Sequence, residues 1–414
     1  MLIPKYWAQY KQCFKVSSTV DNAPDTFHSK QVTIKRYGWS DISQEAALVH
    51  AKERVANAHS RWLAGEDIVR RERREEYNES NGIPIREEII SENGFSENGF
   101  SENGLTEGNL KNSSFDTQLI VTRNTYGAQV ANINNIAIID VDHDDLLHKK
   151  FPDSYDKQGF IGVSIIDKSQ PSPMKVKVWS FVLIFILIAS SIAWFGLSWF
   201  WLLVVMVGVT AYLWQQASKR DKARAKKYSD DLASLLPFIT DLIKKRVANY
   251  PKESFRLYET PAGFRIIATH DTIAPSDNLV AAWFEYFHAD TNYARLCQAQ
   301  QCFRARLTAK PWRMNEVENN ELAKNIPAKD FWFADDNSVE KTSTQQRQDL
   351  ESGKESRKQW ITYYDQYAKH YRACRYIETF SGFDAGHQLE HQVIQTFIDW
   401  HDSACQVNKE LQLA

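Results

Sequence analysis

The chain has 414 residues, with 50 Lys and Arg against 52 Asp and Glu, and the resulting net charge of −2 excludes recruitment of nucleic acid by bulk electrostatics. Five cysteines, odd in number and without a C-x-x-C pair, fit a reducing cytoplasm better than a disulfide framework. The length suffices for one large domain or two ordinary ones.

Residues 1–14 mix Lys5 and Lys11 with aromatics and lack the apolar core of a cleavable leader. Gln31 to Tyr37 alternates in polarity and predicts a strand; Ser40 or Asp41, with Gln44 and Glu45, predicts the start of a long helix ending at Gly65. Arg70 to Glu76 is a mixed-charge run that reads as a solvated face. Ser91 to Leu105 is a pentapeptide repeated in tandem, Ser-Glu-Asn-Gly-Phe twice and Ser-Glu-Asn-Gly-Leu once; its Asn-Gly pairs predict a low-complexity loop over 91–114, closing an N-terminal strand and helix region, 1–114. Residues 115–170 form the first part of a predicted α+β core, with strands over Leu119 to Thr122 and Asn135 to Asp142, a turn over Asn124 to Gly127, and an alternating stretch from Asp153 to Lys168.

Val178 to Trp214 holds no Asp, Glu, Lys, Arg, His, Asn or Gln. As one helix it would run about 55 Å, well past a hydrocarbon core of about 30 Å. The expectation is therefore a transmembrane helical hairpin over 178–214, turned at Gly196-Leu197-Ser198, rather than a buried helical hairpin of a large soluble domain. Lys175 and Lys177 before it, and Lys219, Arg220, Lys222, Arg224, Lys226 and Lys227 after it, place both soluble parts on the cytoplasmic side of a bacterial inner membrane. Trp179, Trp194, Trp199, Trp201 and Trp214 near the span ends suit an interfacial belt.

Residues 228–313 are read as the second part of the core. Tyr228 to Val247 has the apolar spacing of a helix, with a kink or restart at Pro237, and Phe255 to Glu259 and Phe264 to His270 predict a strand hairpin. Residues 314–414 are read as a C-terminal helical region, with helices around Trp360 to Phe380 and His387 to Cys405 and a flexible segment over 335–355.

The chemistry-bearing residues fall at the ends of the predicted strands. Period-2 geometry puts Asp140 and Asp142 on one face of their strand, where two carboxylates suit a hard divalent ion such as Mg²⁺ or Mn²⁺ that also binds substrate phosphates. Either Arg265 or His270, on opposite faces of the next hairpin, is a candidate to face that site. Further on, Asp290 precedes a basic run in which Arg304, Arg306 and Lys310 are candidates to grip phosphate and Trp312 to stack on a base. His387-Gln-Leu-Glu390-His391 spells the H-x-x-E-H pattern of inverted zinc peptidases, while His401 and Asp402 suggest a structural contact.

The order of an acid-apolar-acid strand, a helix, a Gly-turned hairpin, and a lone acid before a basic strand resembles the catalytic core of the archaeo-eukaryotic primase superfamily, the primase-polymerases. The resemblance implies Asp140, Asp142 and Asp290 as metal-binding and catalytic acids. The family's second motif carries a histidine just after the hairpin turn, where this chain has Gly263-Phe264-Arg265, with His270 further on. Over most of its length the chain also resembles a group of bacterial membrane proteins with no assigned activity, through Gly38-Trp39-Ser40-Asp41, Gly82-Ile83-Pro84-Ile85-Arg86-Glu87-Glu88, Thr122-Arg123-Asn124-Thr125-Tyr126-Gly127 and Lys310-Pro311-Trp312-Arg313. The expectation is a primase-like α+β domain interrupted by a transmembrane hairpin. As a membrane-anchored protein it would bind nucleoside triphosphate, and nucleic acid as a template, with Mg²⁺ or Mn²⁺. Its activity would be nucleotidyl transfer, with a non-catalytic nucleotide or nucleic-acid sensor and a zinc peptidase as alternatives.

Overall fold

The computed structural model describes residues 1–20, 23–70, 84–85, 87–96, 99–102, 117–157, 163–165, 190, 200–314, 324, 344–384 and 392–414. Most of the first expected span, parts of the pentapeptide repeat and the H-x-x-E-H residues lie outside them. The chain divides into two compact units: Met1–Asp140 with Val247–Ala414, and Val141–Arg246.

The first unit opens with a long antiparallel hairpin, β1 (Tyr6–Val20) and β2 (Ala23–Ser40), followed by α1 (Gln44–Leu63). Ser43 caps α1 by accepting from the Ala46 amide, and Gly65, at φ +88°, closes its far end in the left-handed region that suits glycine. Val32 and Ile34 of β2 pack on Val55 and Ala58 of α1. Gly38 lets the two approach: a Cβ there would lie 2.2 Å from the Ala51 nitrogen and 2.3 Å from the Ala47 carbonyl oxygen. Gly38→Ala is therefore expected to cost roughly 1–3 kcal/mol through overpacking, read as a lower urea midpoint with an unchanged slope.

A five-stranded antiparallel sheet follows from β3 (Glu88–Ser96), β4 (Gly99–Glu102), β5 (Thr117–Arg123) and β6 (Gln129–Ile133), with a later strand on its edge. The Thr-Arg-Asn-Thr-Tyr-Gly motif is the turn between β5 and β6. Asn124 Oδ1 accepts from the Tyr126 and Ala128 amides, Gly127 stands at φ +90°, and Arg123 donates to the Gly127 carbonyl while forking onto Asp365 at 2.9 and 2.8 Å. Strand β7 (Ile138–Asp142) then buries Ile139 and Val141 and leaves Asp140 and Asp142 half-exposed, the alternation of a strand with one covered face.

The boundary between the units falls inside β7. In the second unit, α2 (His143–Lys150) leads to a short hairpin of β8 (Tyr155–Lys157) and β9 (Val163–Ile165), and then to α3 (Phe200–Ala233). Tyr155 donates to Asp231 at 2.7 Å, and Lys150 to the hydroxyl and carbonyl of Ser234, each at 2.8 Å. Ser234 breaks the helix, which restarts as α4 (Leu235–Asn249) with Pro237 in its first turn, where a missing N–H costs nothing.

The structure does not support the expected transmembrane hairpin. No helix among the described residues is long and apolar enough to cross a membrane. The helix that begins where the second span was expected does not stop at Trp214; α3 runs on through Gln215, Gln216, Lys219 and Arg220 to Ala233. Its apolar part, Phe200 to Trp214, covers only about 22 Å at 1.5 Å per residue. The absence of charge over 178–214 marked an apolar stretch correctly, but composition does not fix where helices begin and end. Among the described residues the fold is mixed α and β, and a membrane hairpin is not supported.

The chain re-enters the first unit in α4 and forms the hairpin β10 (Ser254–Thr260) and β11 (Gly263–Ala268), turned where Thr260 pairs with Gly263. Next come α5 (Asn278–Tyr286), α6 (Thr291–Gln300) and β12 (Phe303–Arg306), which adds to the free edge of β6. After α7 (Thr344–Ala368), which includes part of the expected flexible segment, come β13 (Tyr371–Arg372) and β14 (Arg375–Ser381). The helix expected through Phe380 thus ends at Ala368, because the following residues pair with β10. Helix α8 (Gln392–Ala404) and β15 (Gln412–Leu413), parallel to β13, finish the chain. A second sheet has the order β14-β10-β11-β7.

Candidate functional site

In the first unit Asp140 ends the part of β7 that belongs there, and its carbonyl accepts from the Asp290 amide at 3.1 Å. Asp290 is the N-cap of α6, its Oδ1 accepting from the Asn292 amide at 2.7 Å, so strand and helix start are tied together. One turn into α6, the Tyr293 hydroxyl reaches the Ile138 carbonyl at 2.8 Å and the Arg304 carbonyl at 3.2 Å, bridging β7 and β12. The two strands belong to different sheets, and this phenol fixes the distance between them.

Four charged groups act on the Asp140 carboxyl. Burial holds its pKa above the ordinary carboxylate value and Asp290 adds to the rise, against the opposing pull of Arg265, Arg306 and Lys310. Arg306 projects from β12 with its Nε buried and without a hydrogen-bond partner. Lys310 lies 5.8 Å over the Tyr126 ring and 5.5 Å over Trp312, which is 45% exposed. The first unit thus gathers Asp140, Asp290, Arg306 and Lys310 around one partly open spot.

The other expected site residues have local settings of their own. Asp142 ends β7, two residues after Asp140, at the N-cap position of α2. Arg304 shares the face of Arg306 but forks onto Glu87 at 2.8 and 2.7 Å, and Thr122 also donates to that carboxylate at 2.6 Å. Both side chains of this pair are mostly covered, which makes it a sheet clamp. His270 lies past the end of β11, its Nδ1 within 3.1 Å of the Ser254 amide nitrogen and 3.0 Å of the Ser254 carbonyl oxygen. There it lines a 540 Å³ cleft with Glu253, Asp271, Asp277, Trp283 and Asp384.

Arg265 is 2% exposed, since both faces of β11 are covered. Its Nη2 donates to the Arg306 carbonyl at 3.0 Å, and its Nη1 stands 2.9 Å from His401 Nε2, 3.9 Å from Cys374 Sγ and 3.8 Å from Cys405 Sγ. His401 Nδ1 in turn lies 3.0 Å from Asp402 Oδ1, and Asp402 accepts from Tyr258 Oη and Arg256 Nη2, each at 2.7 Å. Burial raises the Asp402 pKa, but these hydrogen bonds and the Arg256 charge outweigh it and hold the carboxyl below its ordinary value.

Sequence reading missed the grouping of Cys374, His401 and Cys405. The spacing of His401 and Cys405 on one helix face was visible, but nothing local ties either to Cys374. All five cysteines are unpaired. Compared with known protein families, curated proteins and solved structures, the chain matches none.

Proposed function

We propose that the chain binds a nucleoside triphosphate with Mg²⁺ or Mn²⁺ at Asp140, Asp290, Arg306 and Lys310, and acts by binding rather than by polymerisation. The observation that carries this reading is the buried, unpartnered Nε of Arg306 beside a carboxyl that also feels Lys310 and Asp290. A guanidinium with an unused Nε donor can recognise a phosphate oxygen, and an ammonium adds charge. Two carboxylates suffice for a hard ion that takes its other ligands from phosphates and water. The exposed Trp312 face, next to Lys310, offers a stacking surface for a base. Binding is favoured over nucleotidyl transfer because Asp290, one of the acids at this spot, is already engaged in capping a helix.

The test is equilibrium binding of labelled ATP and GTP to the full chain with either metal. Arg306→Ala is expected to weaken binding roughly 10- to 100-fold, the worth of a charge-assisted hydrogen bond. Arg304→Ala is expected to act on stability instead, by stranding Glu87. Triphosphate affinity that ignores Arg306→Ala, or no binding with either ion, would refute the reading. Product formation on a single-stranded template would replace it with the primase-polymerase one.

A further inference from the structure

We propose that Cys374, His401 and Cys405 form a binding site for a thiophilic divalent ion of the zinc class, separate from the acid and arginine site. The three ligand atoms all lie within 4.8 Å of one another, and Cys405 Sγ is 3.5 Å from His401 Nε2. A tetrahedral zinc ion with bonds of about 2.3 Å to sulfur and 2.0 Å to nitrogen sets its ligand atoms roughly 3.5–3.8 Å apart. The cluster is therefore near the spacing that the ion requires.

The ligands are held by backbone as well as by packing. His401, in the last turn of α8, and Cys405, the residue just past its end, stand four residues apart, and the Cys405 amide donates to the His401 carbonyl at 2.8 Å, which continues the helical turn and puts both side chains on one face. Cys374 sits between β13 and β14, where the neighbouring Ala373 amide donates to the Cys405 carbonyl at 3.1 Å. Asp402 supplies the outer support common to metal-bound histidines: it takes the Nδ1 side of His401, leaving Nε2 directed at the two sulfurs, and is itself fixed by Tyr258 and Arg256. All three ligands are fully buried. Two thiols and an imidazole select a soft or borderline ion, which separates this site from the oxygen-lined one proposed for Mg²⁺ or Mn²⁺.

The lone pairs of the cluster converge on a place where positive charge already stands, the Nη1 of Arg265. Metal entry requires that nitrogen to swing away. The Nη2 bond to the Arg306 carbonyl lies on the other arm of the guanidinium, and the Nε has no partner to break. Arg265 is thus a competitor for the ion, and its removal should tighten metal binding.

The experiment uses the full chain without a histidine tag. Elemental analysis is expected to find one zinc per chain after purification without chelator. Cobalt added to the stripped protein should give tetrahedral visible bands and a thiolate-to-cobalt charge-transfer band that saturates at one equivalent. Cys374→Ser and Cys405→Ser should each lose stoichiometric binding, whereas Cys13→Ser, at an exposed cysteine, should not. Since either core variant can fail to fold, the deciding measurement is on the wild type, with circular dichroism confirming the fold. Folded wild-type protein that carries no zinc and gives no charge-transfer band overturns the proposal. So does a band that appears only in Arg265→Gln, because the arginine would then be the permanent occupant.

Discussion

Asp402→Ala is expected to destabilise the first unit by about 3–5 kcal/mol, the cost of removing one member of a buried ion pair and leaving the others uncompensated. The carboxylate accepts from Arg256, from the buried Tyr258 hydroxyl and from His401, and a methyl group answers none of them. Asp402→Asn retains one acceptor oxygen and should cost less. The pH dependence has a definite sign. Because the folded state holds the Asp402 pKa below its ordinary value, its contribution is present above the unfolded pKa and is lost as pH falls through the folded one. Urea melts from neutral to acid pH should show that loss in the wild type and a weaker slope in Asp402→Asn. Equal slopes would mean that this carboxylate is not the group responsible.

Asp140→Asn should do the opposite to stability while removing the proposed triphosphate binding. Burial and Asp290 hold the Asp140 pKa above its ordinary value, so its stabilising contribution is present below the unfolded pKa and is lost as pH rises through the folded one. Wherever the carboxyl is ionised, its charge is a burden on the fold. A neutral amide of the same shape relieves it, and a rise in Tm of a few degrees is expected. The same change removes a charged ligand proposed for the divalent ion, so metal-dependent triphosphate binding should fall below detection. A gain in stability together with loss of binding is the signature of a residue kept for its ligand. A fall in Tm with binding intact would assign Asp140 to the fold alone.

The sequence by itself determined the elements whose cause is local. Alternation placed the carboxylates of Asp140 and Asp142 opposite Ile139 and Val141, the Thr260 to Gly263 turn set the register of the β10 and β11 hairpin, and Gly65 marked the end of α1. Each depends on residues a few positions apart, where period, caps and turn chemistry act. Even there a local signal failed when a distant strand competed: Arg375 to Ser381 reads as the end of a helix but pairs with β10.

Only the tertiary structure decided which charges belong together. Arg304 and Arg306 look alike in sequence, yet Arg304 finds Glu87 across 217 residues, while Arg306 is left with an unpartnered Nε beside Asp140. Arg265 was a candidate to bind phosphate, but both faces of its strand are covered and its guanidinium is held by His401, 136 residues on. Partners at such separations are chosen by which sheet edges and helix faces bury the most apolar surface, and a non-directional force of that kind leaves no periodic trace in the chain.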